Sequence, residues 1–176
     1  MSTTNGLAVL AMLGPCTALV AYAEVYMSPQ QATNVIFPGL KMEKTELTLT
    51  DMEASKIESL AGEKVRSKNL NIWKSANKDY VYIDQVLGKH EFITYAIGIN
   101  KEGKVKGVEI LEYRESYGGK IREDSWRKQF LDKDKSAKLK LDEDIRNISG
   151  ATLSCSHITN GVKRILVTHD IVASKL

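Results

Sequence analysis

The sequence predicts an α+β domain, with helices packed on an antiparallel β-sheet. Three patterns carry that expectation. Two short stretches open on helix-capping signals, four runs of β-branched and aromatic residues are separated by short polar turns, and an amphipathic stretch lies near the C-terminus.

Ser28-Pro29 supplies an N-cap and a proline at the first helical position, and Pro38-Gly39 closes that segment after Val35, Ile36 and Phe37. Thr50-Asp51-Met52-Glu53 is a capping box. Ala54, Ile57, Leu60 and Ala61 follow at helical spacing until Gly62 provides a C-terminal stop. The period then changes. Ile72-Trp73, Tyr80–Leu87, Phe92–Ile99 and Val105–Tyr113 read as strands. The turns between the last three are Gly88-Lys89-His90 and Asn100-Lys101-Glu102-Gly103-Lys104, and Asn77-Lys78-Asp79 precedes them. Residues 125–130 read as a short helix and 131–147 as a charged, solvated connection. Residues 154–167 read as a helix with Ile158, Val162, Ile165 and Leu166 on one face.

Composition bounds the class. A chain of 176 residues supports one core, and 43% hydrophobic with 27% charged residues excludes a disordered chain. The net charge of +3, with no run of five basic residues, gives no sign of a nucleic-acid partner. Cys16 and Cys155 are too few for a disulfide framework or a four-thiolate metal site.

No charged side chain precedes Glu24. Leu7 to Val20 has the character of a secretory h-region, and Ala21-Tyr22-Ala23 has the small-x-small pattern a signal peptidase accepts. The expected organisation is a signal peptide over 1–23 and one domain over 24–176. The uncharged stretch from Gly6 to Ala23 is also near the shortest length that spans a bilayer, so a retained membrane anchor is the alternative.

His90, His157 and His169 have no metal-ligand spacing, and no Gly-x-Ser-x-Gly elbow surrounds any serine. Asp142-Glu143-Asp144 lacks the spaced oxygens of a calcium loop and reads as surface. Neither a catalytic residue nor a metal site is expected. What remains is Asn147-Ile148-Ser149-Gly150-Ala151-Thr152-Leu153-Ser154, a small, hydroxyl-rich turn leading into a helix. Gly150 and Ala151 allow close backbone approach, a helix start favours an anion, and Ser149, Thr152 and Ser154 add hydroxyls, so the turn suits a phosphate. Equally, Thr152 or Ser154 can be a plain N-cap.

Ser149-Gly150-Ala151-Thr152 resembles the attachment motif of the FMN-binding domain family. That family is shared by the C subunit of sodium-pumping NADH:quinone oxidoreductase and the G subunit of the Rnf complex. Val81 to Asp84, Gly88-Lys89-His90, Glu112-Tyr113-Arg114-Glu115-Ser116-Tyr117-Gly118-Gly119 and Trp126-Arg127-Lys128-Gln129-Phe130 are similar to small standalone exported members, so the resemblance spans the predicted mature chain. It implies FMN joined to Thr152 by a phosphoester, delivered from FAD by a flavin transferase using Mg²⁺. Leu153 and Ser154, which follow Thr152, are expected to bind the cofactor together with Ser149, Gly150 and Ala151.

By the same resemblance Ser116, Tyr117, Gly118 and Gly119 form the loop facing the flavin, where Tyr117 can stack and the glycines admit the ring; the alternative is an ordinary tight turn. The implied role is an electron carrier, exported to the periplasm or the outer face of the cytoplasmic membrane. Its expected partners are the transferase during maturation and then membrane or periplasmic redox proteins. A flavin-bearing regulatory or sensory domain and a non-flavin exported binding module are the alternatives. Two positions depart from the family pattern. Arg146 stands where transferase targets often have Asp, and Glu115-Ser116-Tyr117-Gly118-Gly119 stands where the larger subunits commonly have Glu-Thr-Pro-Gly-Leu-Gly. Trp126 is expected to anchor the core. Cys155, one helical turn beyond Thr152, is expected to be a structural thiol, although its spacing brings it within reach of the phosphate or ring.

Overall fold

The structure, a computed structural model, describes residues 24–115 and 118–176. The signal or anchor expected over 1–23 lies outside the described residues, as do Ser116 and Tyr117.

Among the described residues six antiparallel strands form one sheet in the order β1-β6-β5-β4-β3-β2. They are β1 (Glu24–Val25), β2 (Met42–Thr48), β3 (Asn69–Ser75), β4 (Tyr80–Leu87), β5 (Phe92–Ile99) and β6 (Val105–Tyr113). The three longest match the predicted runs residue for residue. Their β-branched and aromatic side chains alternate between two covered faces, and β5 is buried from Tyr95 to Ile99. The expected strand around Ile72-Trp73 extends to seven residues. Strands β1 and β2 were not expected. β2 reads Met-Glu-Lys-Thr-Glu-Leu-Thr and lies at the sheet edge, where pairing with β3 from Met42↔Ser75 to Thr48↔Asn69 requires little apolar character.

Helix α1 (Pro29–Ile36) carries the Ser28 capping box, closed by Gln31, and α2 (Asp51–Ala61) carries the Thr50–Glu53 box and ends on left-handed Gly62. The predicted short helix is an α-helical turn, α3 (Asp124–Arg127), continued by a 3-10 turn over Lys128–Phe130. Helix α4 (Thr152–Val172) begins two residues before the expected start and runs five beyond the expected end. The extension is held from the core side: Thr168 donates to the Arg164 carbonyl at 2.8 Å, and His169 Nδ1 lies 2.8 Å from the Tyr82 hydroxyl.

The main core lies between α4 and one sheet face. Tyr82, Ile93, Tyr95 and Ile97 meet Cys155, Ile158, Val162 and Leu166 there. On the opposite face α1 covers Val81, Ala96 and Leu111. Contact there is close: a Cβ on Gly98 would collide with Ile36. The 131–147 connection is pinned more firmly than expected. Leu139 and Ile145 are buried, and Asp144 accepts the N–H groups of Leu139 and Lys140 and the Lys133 ammonium. Asp144 thus folds this stretch inward, while Glu143 remains on the surface as expected.

Candidate functional site

Three segments converge at one end of the sheet. They are the β4–β5 turn, the residues just after β6, and the start of α4. Together they line a cleft of about 420 Å³ formed by Lys89, His90, Glu115 and Gly150 to Ser154.

The α4 wall is set by a four-residue turn. The Ala151 N–H donates to the Ile148 carbonyl at 2.9 Å, and Gly150 occupies the third position at φ +82°. An added Cβ at Gly150 would meet nothing within 4 Å, so glycine is required there by its left-handed backbone and not by crowding. The N-cap is Ala151, and no side chain caps the helix. This removes the plain-cap reading of Thr152 and Ser154: Thr152 is the first helical residue, and Ser154 turns inward. The uncapped first turn offers its N–H groups and the positive end of the helix dipole to the cleft.

Thr152 is exposed, and its Oγ1 accepts from Asn147 Nδ2 at 3.1 Å. The amide orientation is fixed by Asn147 Oδ1, which accepts the Ile148 N–H at 2.8 Å. The Thr152 hydroxyl therefore keeps its own proton and a lone pair for another group. Ser154 is buried, with Oγ 3.1 Å from the Tyr113 hydroxyl. Burial pushes the Tyr113 phenol above its usual range, so it stays protonated.

The opposite wall is the hairpin turn. Glu115 Oε1 accepts the His90 N–H at 2.5 Å and the Glu91 N–H at 3.1 Å. Gly88 makes room, because a Cβ there would lie 2.6 Å from the same oxygen. Burial favours the neutral acid, but the N–H groups of His90, Glu91 and Lys89 outweigh it and hold the carboxyl below its usual range.

The structure brings Gly150, Ala151, Thr152, Leu153 and Ser154 together in the cleft. Ser149 is exposed in the turn and does not line it. Gly118 abuts the floor, where its added Cβ would lie 2.5 Å from the Tyr113 hydroxyl and 3.4 Å from Ala151 and Ser154. Gly119 is exposed and outside the lining. Cys155 is fully buried among Ile158 and Val162, and burial raises its thiol pKa. It faces the core, as a structural thiol does, and not the cleft. Trp126 is buried against Phe130, and its Nε1 donates to the Arg146 carbonyl at 2.7 Å. Gln129 Oε1 accepts the Arg146 N–H at 2.8 Å, so these two residues hold the backbone leading into the Gly150 turn. Lys89, His90, Glu115 and Asn147 were not singled out as site residues. The turn and Glu115 carried part of the resemblance, but only the fold places them opposite Thr152.

Residues 88–167 match the FMN-binding domain family. The chain contains an FMN-binding domain. The match starts at the Gly88 turn and ends inside α4, so it spans every residue lining the cleft. No curated protein matches the chain. The FMN-binding domain has a cleft within the roughly 300–1,000 Å³ range of small-ligand sites. Its uncapped helix start suits the FMN phosphate, and Leu153 provides an apolar wall. Among the described residues no helix is long and apolar enough to cross a membrane.

Proposed function

We propose that the chain is an exported flavoprotein that carries FMN on Thr152 through a phosphoester and relays electrons between membrane or periplasmic partners. The observation that carries this reading is the position of Thr152. It is an exposed hydroxyl at the first residue of an uncapped 21-residue helix, oriented by Asn147 and opening into the cleft.

In attachment, Thr152 Oγ1 bonds to the FMN-side phosphorus of FAD, AMP leaves, and the hydroxyl proton passes to solvent; a flavin transferase with Mg²⁺ supplies the catalysis. FMN, once bound, supplies the redox chemistry. The chain's own groups hold and surround it. The first-turn N–H groups of α4 receive the phosphate, and Leu153, Lys89 and His90 form the walls.

The pattern of 1–23 supports export, and a covalent tether suits a compartment where free flavin is scarce because occupancy no longer depends on its concentration. The non-flavin alternative rested on Thr152 or Ser154 acting as a helix cap, and neither does.

Intact mass and visible absorbance test the reading on the full chain coexpressed with a flavin transferase. Wild type is expected to gain the mass of FMN less water and to stay yellow after denaturation, whereas Thr152→Ala gains neither. An unmodified wild-type chain overturns the proposal. The same spectrum reads out whether 1–23 is removed.

A further inference from the structure

We infer that Glu115 is a fixed anion in the FMN cleft that lowers the reduction potential of the bound flavin and, through the same carboxylate, holds the wall the flavin packs against. This rests on the Thr152 attachment reading.

Glu115 lies in the loop leaving β6, but its carboxylate is bonded to a different hairpin. Oε1 accepts the N–H groups of His90 and Glu91, and the missing side chain at Gly88 gives it that place. Converging backbone N–H groups form an anion site, here filled from within the chain. The anchor is more than a strand-to-strand tie, because Glu115, Lys89 and His90 all line the same cleft as Thr152. Gly118 abuts the Tyr113 hydroxyl and Ser154 at the floor of the cleft, on the α4 side, while the Glu115 carboxylate stands on the hairpin side.

The charge is stable across the working range, because the N–H groups that hold the carboxylate favour its ionised form. Two-electron reduction of a flavin with uptake of one proton adds one negative charge. A carboxylate lining the same cleft opposes that addition. Lys89, on the same turn, acts in the opposite sense. Lys89 is exposed, so solvent screens its charge more than that of the half-buried Glu115.

Glu115→Gln separates the two roles. Its carbonyl oxygen can keep the His90 and Glu91 N–H bonds while the charge is lost. The experiment is a dithionite titration with redox mediators on the full chain, flavin loaded by coexpression with a transferase, comparing wild type, Glu115→Gln, Glu115→Asp and Lys89→Gln. Mass spectrometry of each sample reports occupancy first. Glu115→Gln is expected to shift the midpoint to more positive potential and Lys89→Gln to more negative potential. Glu115→Asp, which keeps the charge, should stay nearer to wild type than Glu115→Gln does. Equal midpoints for wild type and Glu115→Gln at full occupancy overturn the inference and leave the Thr152 reading intact. A wild-type chain without flavin mass overturns both.

Discussion

The side-chain amide of Asn147 donates to Thr152 Oγ1 at 3.1 Å across the turn that starts α4. This bond sets the direction of the Thr152 hydroxyl before any ligand arrives. Asn147 is itself placed by its Oδ1 contact with the Ile148 N–H, and the preceding backbone is held by Trp126 and Gln129. Thr152 is therefore oriented by a chain of contacts that begins in the core.

Asn147→Ala is expected to slow flavin attachment by about fivefold, corresponding to roughly 1 kcal/mol for the lost hydrogen bond to Thr152 Oγ1. The time course of flavin mass gain with purified transferase checks this. Unchanged kinetics would show that Thr152 needs no orientation from Asn147.

Under the proposed attachment, Arg146→Asp is expected to accelerate flavin transfer, since the resemblance implies that transferase targets often have Asp at this position. Trp126 and Gln129 bind the backbone of residue 146, and its exposed side chain adds only a long 3.4 Å bond from Nε to Gln129 Oε1, so the substitution should change stability by less than about 1 kcal/mol. Paired attachment rates and thermal midpoints separate the two effects. A slower rate with unaltered stability would count against transferase recognition through this position.

Gly98→Ala should destabilise the domain by about 1–3 kcal/mol, because the new methyl group would collide with Ile36 in the contact between α1 and the sheet. Urea unfolding should show a lower midpoint with the slope retained. An unchanged midpoint would mean that α1 shifts away at no cost.

His169 makes stability depend on pH. Burial lowers its pKa from the ordinary 6.5, with Asp170 acting in the opposite direction. Its Nδ1 faces the Tyr82 hydroxyl, and the Tyr80 ring packs beside it. The fold holds the neutral ring, and the unfolded chain takes up the proton more readily. Stability is therefore full above the ordinary histidine pKa and falls as pH drops through it. The urea midpoint should be lower at about pH 5.5 than at about pH 7.5, and His169→Gln should flatten that difference. Glu115 contributes little in this window, because its pKa is already lowered below the usual carboxylate range. An equal loss in the variant would assign the effect to another group.

The strands β4, β5 and β6 were legible to the residue because each needs apolar side chains on two covered faces, which makes a dense and bounded signal. Strand β2 was not, since an edge strand can be polar and still pair through its backbone. The start of α4 was misplaced because Thr152 and Ser154 are good capping residues by type, yet the turn at Gly150 puts Ala151 in the cap position.

The sequence alone determined the α+β class, the capped helices and the hydroxyl-rich turn from Ser149 to Thr152. These depend on neighbours a few residues apart, and local spacing encodes them. The cleft itself was decided by the tertiary structure. Lys89, Glu115 and Thr152 meet because antiparallel pairing of β4, β5 and β6 brings the hairpin turn beside the end of β6, and packing of α4 on that sheet places its first turn opposite. Contacts across such separations depend on register and helix docking, which no single stretch of the chain records.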